Sequence, residues 1–343
     1  MTDRKTVSRM RTSKQSKPTS RSPNALRRVI IDSDPGIDDA LALILALQSS
    51  RLQIEGITLV AGNVSLDHCT TNIFQILKSV HLEAPPPVAR GCSKPLRRAL
   101  TTASHVHGTD GLGDISSIKE SDGTYRYPLP QEKAIKSHAS DFIANLLRKN
   151  PNEITIVALG PLTNIATAIQ QDPEAMRQVH EIIVMGGSLN GKGNVTAVAE
   201  FNFFVDPDAA QVVISSGLPV TLVSLDVTHK TKIRREQFMA YANRSRLPTA
   251  TFIIDVSKQY FDFAESCGQQ ECFLHDPLAI GVAIDRTIVR TEKISAHIER
   301  EDPVTSGMLI TDRRNNDKGQ NVSCATEVDA DRFVTSFLNG LFH

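Results

Sequence analysis

Short apolar runs rich in Val and Ile recur along this chain, at residues 28–32, 54–60, 153–159, 181–185 and 220–225. Helices are expected between them, at 38–48, 72–80, 162–170 and 209–216. Strands that are apolar on both faces are those of buried parallel sheets, and strand–helix alternation supplies the crossovers such sheets need. The expected class is therefore α/β: a single domain with a central, mostly parallel sheet flanked by helices on both faces. A chain of 343 residues, 40% of them hydrophobic, has the material for one such core. The apolar run at 40–47 falls short of the ~20 residues that span a bilayer and reads as a core helix.

Residues 1–27 differ from the rest. The first 28 residues hold nine Lys/Arg and one acid, Asp3, among many Ser and Thr. A segment this polar cannot offset its ordering entropy by burial, so 1–27 is expected to be a disordered basic tail and 28–343 the folded domain. The tail reads either as a solvated extension or as a transit peptide. The stretch 91–131 is rich in Gly, Ser, Thr and Pro and is expected to be a long functional loop.

Formal net charge is +0, which gives no drive toward nucleic acid or an acidic membrane. The five cysteines, Cys69, Cys92, Cys267, Cys272 and Cys324, are odd in number and contain no C-x-x-C pair. That suits free thiols in a reducing compartment. The expected location is cytoplasmic, with a nuclear or mitochondrial pool conceivable through the basic tail.

The sharpest motif is Asp32-Ser33-Asp34-Pro35-Gly36-Ile37-Asp38-Asp39. A strand ends at Asp32, Pro35-Gly36 turns the chain, and a helix begins near Asp38. The acids thus stand at the carboxyl end of a strand, where open α/β sheets bind ligands. Acids in a first helical turn also favour the helix dipole and cap its N–H groups, which accounts for Asp38 or Asp39. It leaves Asp32 and Asp34 unexplained. Converging carboxylates call for a hard divalent cation, Ca²⁺ or Mg²⁺.

Further polar residues follow the later strands: Asn63 after 54–60, Asn164 after 153–159, and Asn194, Glu200 and Asn202 after 181–185. Oxygen and amide groups along one sheet edge suit a polyhydroxylated ligand such as a sugar. Asp206-Pro207 reads as a helix start, and Asp276 in His275-Asp276-Pro277 carries the same local reading. His105 and His107 lack a third zinc ligand at a recognisable spacing, so their Gly-rich segment reads as a flexible active-site lid.

Taken together, these motifs resemble the inosine–uridine-preferring nucleoside hydrolase family. The resemblance runs from Val29 to the C-terminus. It is carried by Asp32–Asp39, Ala61-Gly62-Asn63-Val64, Gly160-Pro161-Leu162-Thr163-Asn164, Met185-Gly186-Gly187, Asn194 through Asn202, and His275-Asp276-Pro277. It implies the nucleoside hydrolase fold, one bound Ca²⁺, and a homodimer or homotetramer. Position by position, it implies metal oxygens from Asp34, Asp39, Asp276 and the backbone carbonyl of Leu159. Asp38, Asn63, Asn194, Glu200 and Asn202 would hold the ribose. Asp34 would also be the general base, and His275 would sit near the leaving base.

The implied activity is hydrolysis of the N-glycosidic bond of ribonucleosides, in nucleoside salvage or breakdown. Purine-specific members of the family tend to stack the base between tryptophans. This chain has none, so uridine is the expected substrate, with inosine next. Tyr260 and Phe261 are candidates for base contacts or for core aromatics. A haloacid-dehalogenase-like phosphatase is disfavoured, because Gly36 stands where that family expects Thr or Val. The alternative outside enzymes is a metal-dependent nucleoside-binding protein without turnover.

Overall fold

The computed structural model describes residues 26–312 and 319–343. The expected tail lies outside the described residues except for Leu26 and Arg27, and Arg27 is already the first residue of a strand. In chain order the elements are β1 (Arg27–Ser33), α1 (Ile37–Gln48), β2 (Leu52–Leu59), α2 (Leu66–Val80), β3 (Val88–Arg90), α3 (Ser104–His107), α4 (Ala139–Lys149) and β4 (Ile154–Ala158). Next come α5 (Thr163–Gln171), α6 (Pro173–Met176), β5 (Glu181–Met185), α7 (Phe201–Val205), α8 (Pro207–Ile214), β6 (Val220–Val223) and α9 (Leu225–Thr228). Then follow β7 (Lys232–Arg234), α10 (Arg235–Ala242), α11 (Thr249–Ser266), β8 (Glu271–Phe273), α12 (His275–Ile284), β9 (Val289–Ile298), β10 (Leu309–Asp312), β11 (Val322–Val328) and α13 (Ala330–Phe342).

Among the described residues nine strands form one sheet in the order β10-β9-β11-β6-β5-β4-β1-β2-β3. All neighbours from β3 to β11 run parallel; β9 alone runs against them. The expected mostly parallel sheet is thus present, and the sequence reading missed its antiparallel edge. β7 and β8 form a separate two-stranded ribbon.

The strand period of two divides the core. In β1, Val29 and Ile31 face one apolar cluster while Ile30 faces the other. In β5, Ile183 and Met185 join the first, and Ile182 and Val184 the second. The first face is covered by α1, α2, α11, α12 and α13, and the second by α4, α5 and α8. Burial on both faces explains why these strands read as continuous apolar runs.

β1 lies at the centre, with β2 and β3 to one side and β4, β5 and β6 to the other. Where the winding reverses, the loops after β1 and β4 part and leave a crevice at the carboxyl ends. Register brings those ends level: Asp32 pairs with Ala158, and Ser33 with Leu59.

Some boundaries moved for local reasons. The helix expected from 72 begins at Leu66, because Ser65 accepts a bond from the His68 N–H and so supplies a start. The run expected as a strand to 225 stops at Val223, since Leu225 opens α9. Asp206 starts α8 as expected, accepting from the Ala209 N–H, with Pro207 in the first turn.

Candidate active site

Asp34 follows β1 directly and is 1% exposed. Its Oδ2 accepts the backbone N–H of Asn63 at 2.6 Å, while its Oδ1 is buried with no hydrogen-bond partner. Two close approaches shape its slot. A Cβ on Gly62 would overlap Oδ2, and a Cβ on Gly160 would overlap Oδ1. The loops after β2 and β4 therefore reach this carboxylate only because they present glycine there.

Asp38 and Asp39 lie in the first turn of α1. Asp39 is heavily engaged. Its Oδ1 accepts from Ser33 Oγ at 2.6 Å, and its Oδ2 accepts from the Gly36 N–H at 2.9 Å and Asn63 Nδ2 at 3.0 Å. Asn63 thus ties Asp34 to Asp39. Asp276, in the first turn of α12, makes no side-chain cap; the local reading of it as a helix cap does not hold. Instead its carboxylate meets those of Asp38 and Asp39, with one oxygen from each lying within 4.8 Å of the others. Of the expected metal ligands, Asp39 and Asp276 stand in this group. Asp38, expected at the ribose, joins them, and Asp34 stands outside it.

Beside this group lies a cavity of about 460 Å³. Asp38, Asn63, Leu159, Asn194, Glu200, Asn202, His275 and Asp276 all line it. Asn202 Nδ2 donates to the Leu159 carbonyl at 2.6 Å and to the Met185 carbonyl at 3.2 Å, leaving the first oxygen one further lone pair. Glu200 caps α7, accepting from the N–H groups of Asn202 and Phe203, and also holds the Gly187 N–H at 3.0 Å. Asn194 is exposed at the rim and accepts from the Phe201 N–H.

Asp32 lies beneath the site rather than in it. Its Oδ1 accepts from Thr58 Oγ1 and Asn164 Nδ2. Asn164, read as part of the sheet-edge lining, is spent on that bond and on the Leu59 carbonyl.

The electrostatics follow from burial. Burial, then the charges of Asp39 and Asp38, hold Asp34 well above the ordinary carboxylate range. Burial, then Asp38, Asp39, Asp34 and Glu200, does the same to Asp276. Burial raises Asp38 to about 6 and Glu200 to about 7. Each pair of like charges ~4 Å apart costs roughly 4 kcal/mol at an effective dielectric of ~20, beyond the desolvation of each ion. Among the described residues no Lys or Arg lines the cavity to offset this. An all-oxygen donor set with a buried, unpartnered carboxylate oxygen fits a hard divalent cation.

His275, which directly precedes Asp276, also lines the cavity. Its Nδ1 is 2.8 Å from Thr228 Oγ1, and burial, with His229 nearby, lowers its pKa to about 3. The ring is therefore neutral at pH 7. His229 and Phe273 pack around it, with ring centroids 5.6 Å away in each case.

Several lining residues were not read from the sequence. Phe263 and Cys267 line the cavity from α11 and its end, at spacings of three and seven from Tyr260, the candidate base contact that also lines it, and these spacings mark one helix face. That spacing was the available signal. Phe261, the other aromatic candidate, is a core residue packed on Phe238. Met185, which opens the Met185-Gly186-Gly187 motif, also lines the cavity, and so does His229, which no local pattern announced. The stretch 91–131 lies partly at the mouth. It carries α3 and a 3₁₀ turn at Ile115–Ser117, and His105 packs edge-on against Phe263, which lines the cavity with it. A larger groove of about 840 Å³ lies alongside, lined by Asn190, Asp226 and Lys293 and sharing His229, but none of the expected site residues faces it.

Comparison with known proteins agrees with this geometry. The sequence model for "Inosine-uridine preferring nucleoside hydrolase" matches residues 29–335. The chain is 35% identical to the inosine-uridine preferring nucleoside hydrolase of Leishmania major, over 92% of this chain and 97% of that protein. It is 37% identical to the pyrimidine-specific ribonucleoside hydrolase RihA of Enterobacter sp. (strain 638), over 83% of this chain and 87% of that one. Among solved structures, the purine-preferring ribonucleoside hydrolase from Gardnerella vaginalis superposes with a TM-score of 0.83 at 32% identity, covering 92% of this chain and 98% of that one. The chain belongs to the inosine-uridine preferring nucleoside hydrolase family and is an N-ribohydrolase.

Proposed function

We propose that this hydrolase is calcium-dependent and prefers uridine, freeing uracil and ribose. The observation that carries the reading is the convergence of polar side chains and a buried carboxylate group on one cavity. Asp34, Asp39, Asp276 and the Leu159 carbonyl would hold Ca²⁺, with Asp38 beside them. When bound, the cation balances the carboxylates and makes a nearby water more acidic.

The chain's own residues do the rest. Asp34 takes the water proton at its unpartnered Oδ1. Asp38, Asn63, Asn194, Glu200 and Asn202 hold the ribose hydroxyls and orient the anomeric carbon. As the glycosidic bond breaks, positive charge grows on the sugar ring, and the surrounding carboxylates and amide oxygens stabilise it. His275, its Nδ1 engaged by Thr228, keeps Nε2 for the departing base.

The uridine preference is supported by the absence of tryptophan and by relatives named pyrimidine-specific. The purine-preferring structural relative keeps inosine as the competitor to test. A cytoplasmic homo-oligomer completes the proposal, in keeping with five free cysteines.

The test is release of free uracil from uridine, with inosine alongside, before and after chelation. Release lost on chelation, restored by Ca²⁺ and faster for uridine supports each part. Faster release from inosine overturns the preference, and chelator-resistant release overturns the metal.

A further inference from the structure

Helix α1 carries Asp38 and Asp39, yet it begins without a side-chain cap of its own, since its N-cap is Gly36. The N–H of Ile37, one of the orphan donors of a first turn, goes instead to His107 Nδ1 at 3.0 Å. That acceptor arrives from α3, 70 residues further along, on the loop bordering the cavity mouth. His107 is 6% exposed. Because Nδ1 already receives an N–H, the ring is neutral with its proton on Nε2. Its 4.0 Å approach to Asp38 is therefore not an ion pair. A Cβ on Gly36 would come within 2.8 Å of both His107 Nδ1 and Asn63 Nδ2, so the ring and the turn are fitted to each other.

A second tie runs beside the first. Asn72 Nδ2 donates to the Pro35 carbonyl at 2.9 Å and to the Asp110 carbonyl at 2.8 Å. The loop is also braced within itself. Asp110 accepts from the N–H groups of Leu112, Asp114 and Ser116, and Asp114 accepts from Thr109. A braced loop can transmit position to what it holds.

We infer that His107 is a positioning residue: by accepting the Ile37 N–H it sets the first turn of α1, so that the mouth loop and the two aspartates beside the cation are placed together. The inference rests on the calcium reading above. Coupling of this kind is reciprocal, so cation binding must also order the loop.

The test uses the full chain, stripped of metal, as wild type and as His107→Ala, His107→Asn and His107→Leu. Asn offers an amide oxygen close to where Nδ1 sits; Leu fills the volume without an acceptor. Calorimetry reads Ca²⁺ affinity, and amide exchange reads residues 37–40 and 104–113. The expected result is that Ca²⁺ slows exchange across 104–113 in the wild type. Ala and Leu should weaken Ca²⁺ binding about ten-fold, as a buried donor left unpaired would, and lose that slowing; Asn should recover most of both. Leu matching Asn would assign the residue to packing and overturn the inference. Wild-type affinity and protection in the Ala variant would overturn it too. If the wild type binds no Ca²⁺, the metal reading fails separately. The hold is then judged without cation: faster exchange at 37–40 in Ala and Leu, but not in Asn, supports it, and unchanged exchange overturns it.

Discussion

Asp34 sits in a slot walled by two glycines and one backbone N–H, with one oxygen left unpartnered. Asp34→Ala should lower kcat by at least about a thousand-fold, since it removes the proposed base and a cation oxygen together. Base release followed by chromatography checks it, and near-normal turnover would sink the assignment. Gly62→Ala tests the slot itself. Its Cβ would push the carboxylate aside, and a displacement near ~1 Å costs about a hundred-fold in kcat. Circular dichroism should show the fold retained; full activity would mean that the carboxylate has room to yield. His275→Ala should lower kcat by about a hundred-fold while KM changes little, because its proposed role begins as the base departs. A loss entirely in KM would contradict that role. Asp34, Asp38 and Asp39 were legible because four acids in eight residues are hard to explain otherwise. Thr228 beside His275 was not legible, because 47 residues separate them and no local pattern joins them.

Helix α1 connects the site to the core. Residues Ile37 through Ala46 are buried, so one element both carries acids and packs against α2, α11, α12 and α13. Leu43→Ala, at a 0% exposed residue that does not line the site's cavity, should cost about 2–5 kcal/mol of stability by the void it leaves. A urea titration reads this as a lower midpoint with an unchanged slope; an unmoved midpoint would show that the neighbouring helices collapse onto the gap. Long strands and helices of the parallel sheet were legible through their periodicity. The strands β9, β10 and β11, which extend the sheet beyond β6, were not, nor was α3. β9 mixes exposed and half-buried residues instead of running apolar, and a four-residue helix is too short to show a period.

Across the whole molecule the buried acids make stability depend on pH and cation together. Asp38 and Glu200 have folded pKa values raised to about 6 and about 7, and Asp32 is raised by burial to about 7. Groups raised in this way bind protons more tightly in the folded chain. Their contribution is fully present below the unfolded values, near ~4, and is lost as pH rises through the folded ones. Chelated protein should therefore melt highest near pH 5 and progressively lower toward pH 8. Saturating Ca²⁺ should raise the midpoint most at pH 8, by an amount set by concentration over Kd. Scanning fluorimetry with and without chelator checks it. A midpoint equally pH-dependent in both samples would place the titrating acids elsewhere.

By itself the sequence determined the class of fold, the strand-to-helix turn rich in acids, and the family, because these rest on periods and motifs confined to a few adjacent residues. Only the tertiary structure decided which groups share the cavity. The reversal of winding beside β1 opens the crevice, and register brings the strand ends level. Chain segments far apart in sequence then supply Asp276, Asn202 and His107 to one place. Such contacts depend on how elements stack, and stacking follows from burial summed over the whole core rather than from any single stretch of residues.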